Sequence, residues 1–101
     1  MLARVARYEV PAEKIGSAAE AFAQAATEIE QLEGFAGGYV FVDPEDGRTM
    51  TVTLWENPFA LENSERKAST ARREAAGAVG GSVLSVEKFE VAHQLGQPGS
   101  S

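Results

Sequence analysis

The 101-residue chain carries few side chains suited to chemistry: one tryptophan, two tyrosines, one histidine and no cysteine. Trp55 closes an apolar run and Tyr39 sits inside another. A tryptophan there could line a pocket, stack on an aromatic ligand and donate its indole N–H, and Tyr39 could add a phenol to the same cavity. The competing reading of Trp55 is a core or interface residue, because aromatics dominate both environments. The sequence leaves open whether the two rings share one face of a sheet. Both are candidate substrate-binding residues; no catalytic residue is assigned.

The other candidates are weaker. His93 follows the last predicted strand beside a Gly/Pro/Ser-rich end, where a general base could hardly be held in position. With one histidine and no cysteine, disulfides, thiolate catalysis, iron–sulfur clusters and cysteine–zinc sites are excluded. Only carboxylates remain to hold a metal, so no metal is expected. Asp43, Glu45 and Asp46 precede Gly47 in a segment too short for a calcium-binding helix–loop–helix. The glycines at 34, 37 and 38 and at 77, 80 and 81 match neither a dinucleotide fingerprint nor a phosphate loop. Arg66, Lys67, Arg72 and Arg73 form one basic patch that could guide an anionic ligand. Glu62 stands four residues before Arg66, a favourable surface pair, and a solvated helix face is the plainer reading. No Ser–His–Asp or Cys–His set can be assembled.

These residues must be positioned by one small domain. An apolar share of 44% and a charged share of 24% are ordinary for a globular chain. The net charge of −6, from 15 acids against 9 bases, argues against a nucleic-acid partner. No apolar run approaches the ~20 residues that cross a bilayer, and the opening MLARVARYEV alternates, so no membrane contact and a cytoplasmic location are expected.

Residues 2–9 read as a strand with Val5 and Tyr8, followed by Val10 and then by Pro11 at a helix start. From Lys14 to Leu32, Ile15, Ala18, Ala19, Phe22, Ala26 and Ile29 recur at helical spacing, and Gly34 suits a left-handed stop. Residues 34–42 and 49–56 read as strands joined by the turn Asp43-Pro44-Glu45-Asp46-Gly47, hence a hairpin. Asn57-Pro58 starts a second helix, whose face of Leu61, Ser64, Ala68, Ala71 and Ala75 is small. Gly77, Gly80 and Gly81 break that helix, residues 82–92 form the last strand, and 96–101 read as a flexible tail after a domain spanning 1–95.

The predicted fold class is α+β: a ferredoxin-like β-α-β-β-α-β sandwich, with a four-stranded antiparallel sheet and two helices on one face. In the second strand, Phe35, Gly37, Tyr39 and Phe41 share one side and Ala36, Gly38, Val40 and Val42 the other. In the third, Met50, Val52 and Leu54 oppose Thr51, Thr53 and Trp55. Neither side of these strands is strongly polar, whereas a half-wet antiparallel sheet alternates. The helices can cover one face; a second copy packed sheet to sheet is the simplest cover for the other.

The phrases Gly34-Phe35-Ala36-Gly37-Gly38-Tyr39 and Thr53-Leu54-Trp55-Glu56-Asn57-Pro58-Phe59-Ala60-Leu61, with the closing Val86-Glu87-Lys88-Phe89-Glu90-Val91, resemble the antibiotic biosynthesis monooxygenase family of dimeric α/β barrels. The resemblance spans residues 2–92 and implies a pocket between sheet and helices. In active members that pocket holds a flat aromatic or polyketide-like substrate that reacts with oxygen without metal or flavin, so no cofactor is expected. Quinone-forming members use an asparagine and a tryptophan on the third strand. Trp55 is present here, but Thr49, Thr51 and Thr53 occupy that strand, and Asn57 and Asn63 lie in the cap and helix. Haem-degrading members place a tryptophan and a histidine on the second helix and an asparagine on the first strand; residues 58–76 and 2–10 supply none of them. The expectation is a homodimeric, cofactor-independent monooxygenase-like protein acting on a small aromatic or polyketide-like substrate. The alternative is a non-catalytic module of the same fold that binds a small apolar ligand or a partner protein.

Overall fold

In the computed structural model, residues 1–96 are described. Their order is β1 (Leu2–Glu9), a single 3-10 turn (Ala12–Lys14), α1 (Ile15–Ile29), β2 (Phe35–Asp43), β3 (Arg48–Trp55), α2 (Pro58–Ala78) and β4 (Ser82–Glu90). The strands form one antiparallel sheet in the order β2-β3-β1-β4. This is the expected ferredoxin-like β-α-β-β-α-β arrangement, with both helices on one face. Of the expected tail, 96–101, all but Gly96 lies outside the described residues.

Each element traces to local chemistry. Asn57 caps α2 by accepting the Ala60 N–H at 2.8 Å on its side-chain oxygen, and Pro58 fills the first helical position. The β2–β3 turn is held by Asp43: its Oδ1 accepts the N–H of Glu45 at 3.1 Å, and Gly47 supplies a φ of +73°. Gly34, at φ +83°, turns the chain from α1 into β2, and its carbonyl accepts the N–H of Glu56 at 2.9 Å.

Several expected boundaries shift. Pro11 has ψ 134°, an extended conformation, and precedes the 3-10 turn rather than starting the helix. The α-helix spans Ile15–Ile29 instead of 14–32, because successive turns carry the chain from Glu30 to Gly34. Gly77 stays inside α2, and Gly80, with φ +71°, is where the chain leaves helical geometry.

One correction alters the faces of the sheet. The register between β2 and β3 steps from Phe35↔Trp55 to Gly37↔Leu54, so β2 carries one extra residue there. This β-bulge, with Gly37 at φ +133°, moves Phe35 onto the face of Gly38, Val40 and Val42. Simple alternation had grouped Phe35 with Tyr39 and Phe41. The β3 faces are as expected, with Thr49, Thr51, Thr53 and Trp55 on the helix side. Their β1 partners there are Tyr8, Ala6, Arg4 and Leu2.

The core divides into two clusters. One gathers Ala6, Tyr8, Val10, Ala18, Phe22, Ala75, Ala76 and Val79, with the Tyr8 and Phe22 rings 4.4 Å apart. The other gathers Ile29, Trp55, Ala60, Leu61 and Ala68, with Phe35 packed edge-on against Trp55 at 5.5 Å. Small residues on α1 and α2 leave room between helices and sheet that neither cluster fills.

Candidate binding cavity

That room is a cavity of about 450 Å³, within the range of small-molecule sites. Phe22, Ala25, Ala26 and Ile29 of α1 and Ala68 and Ala71 of α2 line it from above. Phe35, Gly38 and Val40 of β2, Thr51 and Thr53 of β3, and Arg4 and Tyr8 of β1 line it from below. Its exposed lining residues, Ala23 on α1, Glu30 just after it, and Gly38 and Tyr39 on β2, mark the mouth. The buried Arg4 and Tyr8, on a central strand, mark the inner end. Gly38 lets β2 approach β3 closely, since a Cβ there would run into the Val52 carbonyl.

The polar groups are concentrated at the inner end. Tyr8 and Thr51 share a hydrogen bond at 3.1 Å, and burial raises the Tyr8 phenol above its usual pKa. Thr53 Oγ1 accepts the indole N–H of Trp55 at 3.0 Å. Its own proton is thereby free to donate. Arg4 is 2% exposed. Its Nη2 donates to the Leu61 carbonyl at 2.6 Å and to Ser64 Oγ at 3.2 Å, and lies 2.9 Å from Glu65 Oε2. Arg72 Nη2 donates to the other Glu65 oxygen at 2.9 Å. Desolvation lowers the Arg4 pKa, partly offset by the Glu65 charge and lowered further by Arg72, but a guanidinium remains protonated at physiological pH. For Glu65, burial opposes ionisation, yet the Arg72 hydrogen bond and the charges of Arg4 and Arg72 together hold its pKa below the usual value.

The two residues singled out in the sequence lie on opposite faces of the sheet. Trp55 faces the helices at 0% exposure. It backs the cavity from beneath Thr53, Arg4 and Phe35 and is not itself part of the lining. Tyr39, paired with Val52, contributes to the mouth but is 63% exposed. Its ring stacks on Phe41 at 5.6 Å. His93 lies beyond β4, exposed and away from the cavity. Among the described residues there is no cluster of metal-ligating side chains, and no helix is long and apolar enough to cross a membrane. The cavity lining contains no histidine, cysteine or methionine, so a haem iron would find none of these ligands there.

The sequence reading passes over Arg4 and places Arg72 on a solvated face. The signal for Arg4 was its phase: it alternates with Ala6 and Tyr8, so a charge there points into the core side of the strand. Arg72 lies one position from Ala71 on the small-residue stripe and carries a side chain only 12% exposed.

Comparison with known proteins agrees with this architecture. No curated protein shows a significant sequence match. A structure from Deinococcus radiodurans, given the name of the antibiotic biosynthesis monooxygenases, superposes with a TM-score of 0.75 at 17% identity, over 98% of this chain and 100% of that one. SnoaB, a cofactor-independent oxygenase from Streptomyces nogalater, superposes with a TM-score of 0.71 at 16% identity, covering 95% and 97%. The haem degrader MhuD from Mycobacterium tuberculosis, solved with two haems in its active site, gives a TM-score of 0.69 at 27% identity, covering 95% and 100%. The sequence model of the antibiotic biosynthesis monooxygenase family matches residues 1–76. The chain belongs to the antibiotic biosynthesis monooxygenase family.

Proposed function

We propose that the protein binds a small, flat aromatic or polyketide-like molecule in the cavity between sheet and helices and promotes its reaction with oxygen without a cofactor. The observation that carries this reading is the cavity itself, apolar along its walls, with hydroxyl and guanidinium groups confined to its inner end. Such a shape buries a ring system and leaves one polar edge to be recognised. The net reaction would convert a ring methylene and O2 into a ring carbonyl and water. The ionised substrate supplies electrons to oxygen, and water leaves from the resulting hydroperoxide. Trp55 would act as a positioning residue, holding Thr53 by its indole N–H and lying under Arg4. Tyr39 would act at the mouth.

One observation favours the non-catalytic alternative. Among the described residues the only carboxylate on the lining is Glu30, exposed at the mouth, and there is no imidazole. A substrate that needs a strong base at the inner end would be bound and left unchanged.

The open sheet face suits a second copy of the chain, as in a dimeric barrel. Tyr39, Phe41 and Phe89 are exposed large apolar residues there, and patches of this kind are usually covered.

Oxygen uptake with a panel of anthrones and hydroquinones tests the enzymatic reading, with quenching of the single tryptophan as a parallel binding signal. Uptake above the uncatalysed rate, reduced in a Trp55→Phe variant that circular dichroism shows to be folded, supports oxygenation. Quenching without uptake supports the binding module, and neither signal defeats both small-molecule readings.

A further inference from the structure

We propose that the inner end of the cavity is an oxyanion subsite, in which Arg4, supported by Arg72, receives an ionised phenol or enol oxygen of the flat ligand. This inference rests on reading the cavity as an aromatic-ligand site and specifies which aromatics it takes.

The argument begins with the incomplete pairing of Arg4. All its protein contacts fall on Nη2. Nε and Nη1 are buried and find no hydrogen-bond acceptor among the described residues. A buried N–H without an acceptor is costly, more so on a charged group. A guanidinium serving only as a structural strut would be expected to have its remaining donors satisfied. Arg4 instead lines the cavity while two of its nitrogens, shielded from solvent, stay unsatisfied, as does the Glu65 Oε2 beside it.

Charge balance leads to the same conclusion. One carboxylate, Glu65, is divided between two guanidiniums: Oε2 lies by Arg4 and Oε1 accepts from Arg72. Both arginines line the cavity, whereas Glu65 does not. The trio therefore carries an excess of one positive charge at the enclosed end. The carboxylate of Glu30 is exposed at the mouth and makes no ion pair with either arginine among the described residues. An anionic atom entering the cavity would neutralise that excess in a poorly solvated place, where charge-assisted hydrogen bonds are strongest.

The hydroxyls on the lining add neutral donors to the same cavity. Thr53 accepts from Trp55 and keeps its proton to donate. Tyr8 stays protonated through burial, and with Thr51 it forms a hydroxyl pair with one proton to spare. The walls are alanine, phenylalanine, isoleucine and valine, so the body of the ligand is a ring and its charge sits at one edge. This arrangement favours the ionised over the neutral form of a weakly acidic aromatic, the form that can give electrons to oxygen.

The test uses the full chain and three probes. Alizarin, a dihydroxyanthraquinone, reports its own phenol ionisation by colour; 2-naphthoate and its neutral amide report charge preference by quenching of Trp55. Alizarin bound to the unmodified protein should ionise at a pH at least one unit below the free dye. The shift should vanish in Arg4→Met, survive in part in Arg4→Lys, and shrink in Arg72→Gln. Naphthoate should bind at least tenfold more tightly than naphthamide. Thermal melting verifies that each variant is folded. Should Arg4→Met fail to fold, the Arg72→Gln shift and the naphthoate preference decide the matter. Equal binding of naphthoate and naphthamide with an unmoved alizarin colour change overturns the oxyanion subsite while leaving the aromatic cavity intact. A naphthoate preference without an alizarin shift also overturns it, in favour of a carboxylate site. If no probe binds, the cavity reading fails as well.

Discussion

The guanidinium of Arg4 lies over the indole of Trp55, 5.6 Å from the ring centroid. The indole N–H donates to Thr53, the cross-strand partner of Arg4. A cation on an aromatic face is worth about 0.5–2 kcal/mol depending on solvation. Here it also fixes where the charge sits at the cavity floor.

Trp55→Ala should destabilise the fold by about 3–5 kcal/mol, the usual cost of removing a large core aromatic. Trp55→Phe should cost less, because it keeps the packing against Phe35 and loses the hydrogen bond to Thr53. Urea unfolding followed by circular dichroism measures both; equal costs would show that the packing against Phe35 contributes nothing.

Gly34→Ala should destabilise by about 1–3 kcal/mol. Its φ of +83° lies where L-residues are strained, and a Cβ there would collide with that of Ala60. Gly16→Ala is the control, since a Cβ meets nothing nearby and lies within α1; it should be neutral or stabilising. Thermal melts of the two variants give the comparison.

Glu65 sets an acid limit on stability. Its folded pKa is depressed below the usual value of 4.5. Its contribution is therefore fully present above 4.5 and is lost as pH falls through the lower folded value. The carboxylate is 38% exposed, so screening limits the effect to about 1 kcal/mol. Melting temperature against pH should fall more steeply below 4.5 in the unmodified protein than in Glu65→Gln; parallel curves would contradict the assignment.

Tyr39 and Phe41, stacked on the open sheet face, should be needed for self-association and dispensable for folding. Phe41→Lys should shift sedimentation toward a single protomer while leaving the helical signal unchanged. A monomeric parent protein would remove the dimer from the proposal.

Much of the topology was legible because the punctuation was local. Asn57-Pro58, Asp43 to Gly47, and Gly34 each impose backbone geometry by their own chemistry, whatever they pack against. The Thr51/Thr53/Trp55 face followed from alternation alone. The bulge after Phe35 was hidden because Ala36-Gly37-Gly38 offers no side chain whose burial would betray an extra residue. Arg4 was hidden for a different reason. A charge on a strand reads as solvent-facing unless its phase with Ala6 and Tyr8 is given more weight than its type. Arg72 pairs with Glu65 seven residues earlier on the same helix, a spacing the sequence does show, but its place beside Arg4 of β1 is a contact that no single helix pattern encodes.

The extra residue in β2 allows one short strand to serve two clients. Ahead of it, Phe35 belongs to the layer beneath the helices; beyond it, Tyr39 and Phe41 belong to the opposite layer. Removing Ala36 would restore strict pleating and force one group to change sides, starving the tryptophan cluster of its edge-on partner or burying two rings meant for the exterior. Any gap-free comparison of this segment with a kinsman lacking the insertion would match inward positions to outward ones, and so transplant roles onto the wrong side chains.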